Sequence, residues 1–375
     1  MKIGIPKEIK TNEYRVAMTP QGVSDLVKLG HDVLVESHAG DGSGFVNSDY
    51  SAAGAWIVAT PDEVWNVQVV VKVKEPIPCE YQFFKKDLIL FTYLHLAAPG
   101  NLELTLKLIE TGVCAIAYET VTSNGELPLL QPMSAIAGRM ATQVAASLLE
   151  KSHGGKGILM GGIPGVRRAN VMILGGGIVG KHAAQVAVGM GARVTILDIN
   201  QKVLSHLHDV FGNSVDLLHS TEKNIKQQLR NVDVIIGAVL IPGAKAPTLI
   251  TKEMIYEMEE GSVVIDVAVD QGGCIETCVP TTHENPTFKV NNVIHYCVAN
   301  MPGAVPQTST LALTNATLPY IKKLIDLCMI GSVNNKPDLH TDSTAWAYIN
   351  LALPNGINVR NRQCLCKEVS DVHKL

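Results

Sequence analysis

The sequence predicts an α/β protein of two Rossmann-like domains, with a doubly wound dinucleotide-binding domain inserted into a second, discontinuous one. Three observations carry this. Short apolar runs alternate with helical stretches as far as about residue 305, the pattern of βαβ units in mostly parallel sheets. A glycine turn of dinucleotide type lies between two of those runs, near the middle of the chain. About seventy residues follow the last apolar run, too many to leave idle, so they are expected to return to the first domain. The expected limits are therefore 1–129 and 306–375 for the outer domain and 130–305 for the inserted one.

The elements follow in order. Lys2 to Ile5 reads as a strand, and Pro20 to Leu29 as a helix stopped by Gly30. Asp32 to Glu36, Val69 to Lys74, Leu88 to Thr92 and Val113 to Tyr118 read as further strands. After the turn-rich stretch Thr122 to Pro128, Ser134 is placed to cap a long amphipathic helix ending near Lys151. A glycine-rich loop, Gly154 to Gly165, leads to an apolar strand ending at Leu174. A helix from Lys181 to Met190 and a strand from Arg193 to Leu197 come next. Val232 to Ile236, Val263 to Ile265 and Val293 to Tyr296 complete that sheet, and Pro306 to Met329 reads as a helix kinked at Pro319.

Gly175, Gly177 and Gly180 fit G-x-G-x-x-G, and Asp198 closes the following strand at the distance a ribose-binding acid requires. Gly175 permits the tight turn, Gly177 lets backbone approach a pyrophosphate, and Gly180 lets the helix pack against the sheet. The helix start offers N–H groups and a positive dipole end to phosphate. The same stretch also reads as a Walker A loop up to Lys181, but His182 stands where Ser or Thr must bind Mg²⁺. Asp198 would repel a 2′-phosphate, and Ile199 and Asn200 offer no guanidinium to receive one, so the expected cofactor is NAD; Lys202 is the one nearby cation.

Composition narrows the remaining classes. A chain of 375 residues with 46% hydrophobic and 18% charged residues suits a soluble two-domain enzyme. The net charge is −4 with dispersed Lys and Arg, which gives no electrostatic case for nucleic acid or an acidic membrane. The opening Met1-Lys-Ile-Gly-Ile-Pro-Lys-Glu is no signal peptide, and no apolar run approaches the ~18 residues of a membrane helix, so a cytoplasmic location is expected. Eight cysteines do not make a disulfide scaffold, and neither their spacing nor that of His206 and His208 describes a metal site.

Three segments of the first domain place reactive groups at strand ends or loops, where α/β sheets bind ligands. Arg15 has the planar fork that grips a carboxylate, though an ion pair with Glu8 or Glu13 accounts for it equally well. Lys72 and Lys74 fall on one face of their strand, and Lys74, nearer its carboxyl end, is the better candidate to polarise a carbonyl; a solvating role is the plainer reading. His95 follows an apolar strand, where a near-neutral pKa suits a general acid/base and a hydrogen-bonded core histidine is equally familiar. In the inserted domain Asp270 follows its strand loosely enough to reach a cleft, while Asp266 is expected to bind backbone. The loop Val298 to Gly303 is placed to close over a nicotinamide.

These segments resemble, in one order, the alanine dehydrogenase/pyridine nucleotide transhydrogenase family. The blocks are Gly4-Ile-Pro-Lys-Glu with Arg15-Val-Ala, Val71-Lys-Val-Lys-Glu-Pro, Tyr93-Leu-His-Leu-Ala, Pro132-Met-Ser134, Leu174-Gly-Gly-Gly, Gly237-Ala-Val-Leu240 with Pro242-Gly, Asp266-Val-Ala-Val-Asp270-Gln-Gly-Gly-Cys and His295-Tyr-Cys-Val-Ala-Asn-Met-Pro-Gly-Ala-Val-Pro. The likeness covers about residues 1 to 330. It implies reversible, NAD-dependent oxidative deamination of L-alanine to pyruvate and ammonium by a homo-hexamer. It further implies that Arg15 and Lys74 hold the substrate and that His95 and Asp270 are the catalytic pair. Cofactor contacts would fall on Ser134, Ile178, Val179, Asp198, Ser220, Val239, Leu240, Val267, Asp270, Val298, Asn300 and Met301, beside the turn glycines. Basic residues that the family often carries near 203 and 279 are Val203 and Val279 here, and Arg167-Arg168 is unusual, so any difference is expected in cofactor affinity.

Three other readings compete. The nucleotide-binding part of a proton-translocating transhydrogenase shares the resemblance but needs membrane segments, and this sequence keeps Arg15, Lys74 and His95 together as an amino-acid site would. A related dehydrogenase for a larger amino acid is the second. A non-catalytic NAD-binding protein is the third, and an intact polar constellation argues against it.

Overall fold

Parallel strands and crossover helices alternate along the chain in the computed structural model, which describes residues 1–240, 246–330 and 343–375. The chain begins with β1 (Lys2–Ile5), α1 (Pro20–Lys28), β2 (Asp32–Glu36), α2 (Asn47–Ala52), β3 (Trp56–Val58) and α3 (Pro61–Trp65). It continues through β4 (Val69–Val71), β5 (Ile89–Thr92), α4 (Leu102–Thr111), β6 (Cys114–Ala117) and α5 (Gln131–Leu148). Next come β7 (Asn170–Leu174), α6 (Ile178–Gly189), β8 (Arg193–Asp198), α7 (Gln201–Phe211), β9 (Asp216–His219), α8 (Glu222–Leu229) and β10 (Val234–Gly237). Then follow α9 (Lys252–Tyr256), β11 (Val263–Asp266), β12 (Thr287–Val290), β13 (Val293–Tyr296) and α10 (Pro306–Ile330), which carries Pro319 within it. The chain ends with α11 (Ser343–Ala352), β14 (Ile357–Arg360), β15 (Gln363–Cys364) and α12 (Lys367–His373).

Two compact units result, one of Met1–Met133 with Gly303–Leu375 and the other of Ser134–Pro302. In the first, the strands run in the order β15-β14-β6-β5-β4-β1-β2-β3. Strands β1 to β6 are parallel neighbours, while β14 joins β6 antiparallel, Val359 opposite Ala115. The central strands are buried on both faces, which is why they read as unbroken apolar runs such as Val69 to Val71. Strand order reverses at β1, with β2 on one side and β4 on the other. Such a reversal, at the carboxyl ends of the strands, is the place where open α/β sheets bind ligands.

In the second unit the order is β12-β13-β11-β10-β7-β8-β9. Six parallel strands make a doubly wound sheet that switches between β7 and β10, with β12 added antiparallel at one edge. Its interior is built from alanines and β-branched residues, including Ala183, Ala184 and Ala187 of α6 against Val171, Ile173 and Ile196. Below the sheet the fully buried Asp233 takes both forks of Arg167, at 2.6 and 3.0 Å, with Lys156 Nζ at 2.8 Å and the Asn170 N–H at 2.8 Å. The unusual Arg167 is therefore a partner to a buried carboxylate that would be costly unpaired.

Two sequence expectations are corrected here. Ser134 does not cap a helix: α5 starts a turn earlier at Gln131, with Pro132 in its first turn, where a missing N–H costs nothing. The strand expected to reach Lys74 stops at Val71, so Lys72 and Lys74 lie beyond it in different surroundings. The strands missed by sequence, β3, β9, β12, β14 and β15, include the outer strands of both sheets, and several lack a continuous apolar run.

Candidate active site

The segments leaving β1, β4, β5 and β6 bring a dense set of charges together in the first unit. After β1, Arg15 is only 2% exposed and is gripped by Glu13, its Nε donating to Oε1 at 2.6 Å and a terminal nitrogen donating to Oε2. Burial works against both charges, and the pair more than offsets it: the guanidinium stays above the ordinary arginine value and Glu13 below the carboxylate range. The other terminal nitrogen donates to Met133 Sδ at 3.2 Å. The ion pair foreseen for Arg15 is thus real but buried, and it orients the fork rather than decorating a surface.

After β4 the two lysines part company. Lys72 is fully buried between Glu8 and Glu80, at 3.2 and 2.7 Å, which is a structural role. Glu8 also accepts the Val73 N–H at 2.6 Å and so fixes the turn that carries Lys74. Burial pushes the Lys74 ammonium below the ordinary lysine value; Glu75 opposes this, and Arg15 and Lys10 add to it.

After β5, His95 adopts the left-handed backbone conformation (φ +49°), which costs a non-glycine residue of order 1 kcal/mol or more. Hydrogen bonds hold it there. Its N–H donates to Glu119 Oε1 at 2.5 Å, the Leu94 N–H donates to the same carboxylate, and the His95 carbonyl accepts from Ala98 N and Asn101 Nδ2. The ring stacks on Tyr93 at 5.8 Å, and Tyr93 in turn donates to the Leu129 carbonyl at 2.6 Å. Glu119 follows β6, and burial pushes its carboxyl up to about 7 against the pull of the backbone donors. The near-neutral pKa expected for His95 is not found: burial, and then the Lys74 charge, push it down to about 3, with Glu75 opposing. The imidazole is neutral across the physiological range.

In the second unit, the glycine turn has the geometry its spacing predicted. Gly175 sits at φ +94°, where an added Cβ would also strike the Ala238 carbonyl at 2.8 Å. A Cβ on Gly180 would lie 1.9 Å from the Gly175 carbonyl oxygen, whereas one on Gly177 would meet nothing within 4 Å. Gly177 is the N-cap of α6 and brings no side-chain acceptor, so the first turn presents backbone donors beside open space, as a pyrophosphate requires. Asp198 ends β8 and accepts the N–H groups of Gly176 and Asn200, each at 2.7 Å; each oxygen keeps a further acceptor position for a ribose hydroxyl. Ile178 and Val179 form the first turn of α6, Ser220 follows β9, Val239 and Leu240 follow β10, and Val267 and Asp270 follow β11. Val298, Asn300 and Met301 follow β13. All lie at the carboxyl end of the sheet. Ser134 is on α5 one turn before Gly138, whose missing Cβ lets α5 approach the Val179 carbonyl, so it shares the face that meets the start of α6. Pro242-Gly243 lies outside the described residues. Asp266 binds backbone as read, accepting from Ala268, Cys274 and Ile275 N–H groups.

Comparison with known proteins gives the same assignment from a separate direction. Residues 4–137 match the description "Alanine dehydrogenase/PNT, N-terminal domain", and residues 141–345 match "Alanine dehydrogenase/PNT, C-terminal domain". The chain belongs to the alanine dehydrogenase/PNT family. Among curated relatives, the alanine dehydrogenase of Bacillus subtilis (strain 168) is 54% identical over 362 residues, 96% of this chain and 92% of the relative. "Alanine dehydrogenase 2" of Staphylococcus aureus (strain USA300) is 57% identical over 85% of this chain and 86% of its own. A solved L-alanine dehydrogenase superposes with a TM-score of 0.92 at 48% identity, covering 100% of this chain and 99% of that one. A transhydrogenase from Sinorhizobium meliloti superposes at 0.77 and 24% identity over 87% of this chain and 94% of its own, which shows the shared fold. Members of the family are built to work with a pyridine nucleotide, and the turn of Gly175 to Gly180 fits one.

Two acids beside these candidate residues were not singled out from sequence. Glu119 follows β6 as His95 follows β5, so the strand-end rule that found one would have found the other. Glu75 adjoins Lys74 in the Val71 to Pro76 block and is 8% exposed, but nothing in the sequence says that its carboxylate turns inward.

Proposed function

We propose that the chain catalyses the reversible, NAD-dependent oxidative deamination of L-alanine to pyruvate and ammonium. One observation carries the reading: a buried Arg15 and a half-buried Lys74 and His95, each following a strand, act electrostatically on one another in a chain 54% identical to an alanine dehydrogenase over 96% of its length. The first unit takes the amino acid and the second the nucleotide. Bound NAD supplies the hydride acceptor at nicotinamide C4. Arg15, held rigid by Glu13, orients the substrate carboxylate. Once the imine has formed, the neutral His95 accepts a proton from the attacking water and returns it to the departing nitrogen. Lys74 stabilises negative charge developing on the carbinolamine oxygen. Asp270, exposed after β11, completes the catalytic pair by ordering a water or a hydroxyl.

The preference for NAD rests on the Asp198 charge, which repels a 2′-phosphate. NADH oxidation by the purified protein with pyruvate should therefore require ammonium and exceed NADPH oxidation. Oxidation without ammonium would identify a hydroxy-acid dehydrogenase instead, and no oxidation would remove the reading. In Asp198→Asn, which keeps an acceptor for the Gly176 N–H, the KM for NADH should rise about tenfold through loss of charge-assisted hydrogen bonds. The discrimination against NADPH should shrink at the same time; an unchanged ratio of the two would take Asp198 out of nucleotide selection.

A further inference from the structure

We propose that Glu75 receives the nitrogen of the substrate through its buried Oε2: the α-ammonium of the amino acid in one direction and the free ammonium ion in the other. The inference rests on the function proposed above and assigns the part of the substrate that Arg15, Lys74 and His95 leave unclaimed.

The other carboxylates of the site are committed. Both Glu13 oxygens take Arg15, Glu8 takes the Val73 and Lys74 N–H groups and Lys72, and both Glu119 oxygens take backbone N–H groups. Glu75 differs. Its Oε1 pairs with Lys10, while Oε2 is buried and accepts no hydrogen bond from the described residues. Such an orphan is rare in a folded interior and costs free energy until a donor arrives. Glu75 adjoins Lys74 in the chain and the Lys74 ammonium acts on its carboxylate, so it stands beside a group that handles the reacting carbon.

Charge complementarity selects the donor. An amino acid carries a carboxylate and an ammonium on adjacent atoms. Arg15 and Lys74 suit the first and repel the second, so a site made of them alone would favour the oxo acid and reject the amine. A buried carboxylate restores the balance and offers a hydrogen-bond acceptor where an ammonium has three donors. A hydroxy acid, with no positive charge, gains far less from it, which makes Glu75 a determinant of amine over alcohol chemistry.

The test is a comparison of Michaelis constants in Glu75→Gln, which keeps volume and removes charge. The KM for ammonium should rise about tenfold or more, while those for pyruvate and NADH stay near wild type. A KM for ammonium that does not move, or one that rises only in step with that of pyruvate, overturns the proposal. A second measurement avoids reliance on turnover: in the presence of NAD, L-lactate binding should be retained while L-alanine binding weakens about tenfold. Equal weakening of the two also overturns it. If E75Q melts early, Glu75→Asp carries the same comparison, because it keeps the charge but withdraws the carboxylate; the ammonium constant must again rise more than the pyruvate constant. Wild-type protein that shows no ammonium-dependent NADH oxidation would sink the proposed function itself, a result separate from any of these.

Discussion

His95→Ala should lower kcat for ammonium-dependent NADH oxidation by about 10²- to 10⁴-fold, the range that a positioned acid/base supplies, while NADH binding in the second unit stays near wild type. The expectation follows from how much structure is spent on one residue. A left-handed backbone, a stacked Tyr93 ring and a carboxylate on two successive N–H groups all fix where this imidazole sits. Stopped-flow turnover and equilibrium NADH titration on the same preparation separate the two effects. Wild-type-like turnover would remove His95 from the mechanism; loss of NADH binding as well would make it a folding residue.

The pH dependence has a definite sign. In the free protein the His95 pKa is pressed down to about 3, first by burial and then by Lys74, Lys10 and Arg15. A substrate carboxylate seated between Arg15 and Lys74 cancels part of that repulsion and so raises the His95 pKa. A ligand that raises a pKa takes up protons on binding, and its affinity is greatest at low pH and falls as pH rises through the pKa of the complex. Pyruvate binding should therefore be accompanied by proton uptake on the acid side, and the uptake should vanish in His95→Ala.

Gly180→Ala should be the most damaging small substitution in the second unit. Its Cβ would lie 1.9 Å from the Gly175 carbonyl oxygen, a backbone atom that cannot rotate away, so α6 must lift from the turn. Overpacking of this kind costs about 1–3 kcal/mol or more, and the thermal transition should fall by several degrees. The turn that shapes the phosphate site moves with it, so NADH affinity should drop as well. Gly177→Ala is the contrast. Its Cβ meets no protein atom within 4 Å and its φ of −65° suits any residue, so the variant should melt like wild type and still lose NADH affinity. If Gly177→Ala binds NADH normally, the open space above that residue does not receive the pyrophosphate. A melt of Gly180→Ala unchanged from wild type would show that α6 adjusts freely.

Much of the fold was legible because its signals are local. β1, β2 and β13 begin and end where the apolar runs do, and the glycine turn was read from spacing alone. Strands such as β9 and β12 escaped because they lie at sheet edges, half exposed, where burial imposes no unbroken apolar run. Ser134 misled for a related reason: a serine before an amphipathic stretch is a sound cap signal, but Pro132 had already started the helix. The candidate site was legible as residue types at strand ends, and Arg15, Lys74 and His95 were proposed that way.

What the sequence by itself determined is therefore periodicity and motif: two mostly parallel sheets, one of them doubly wound, a dinucleotide turn with its acid, and candidate reactive side chains near the strand ends. Tertiary structure alone decided which charges share a neighbourhood. Lys72 and Lys74 are two residues apart, yet one is locked between Glu8 and Glu80 and the other is left pressing on His95. Glu75 and Glu119 joined the candidate site, and His95 lost its near-neutral pKa, through the same physics. Burial and through-space charge depend on what residues far apart in sequence bring to one place, and no local pattern records them.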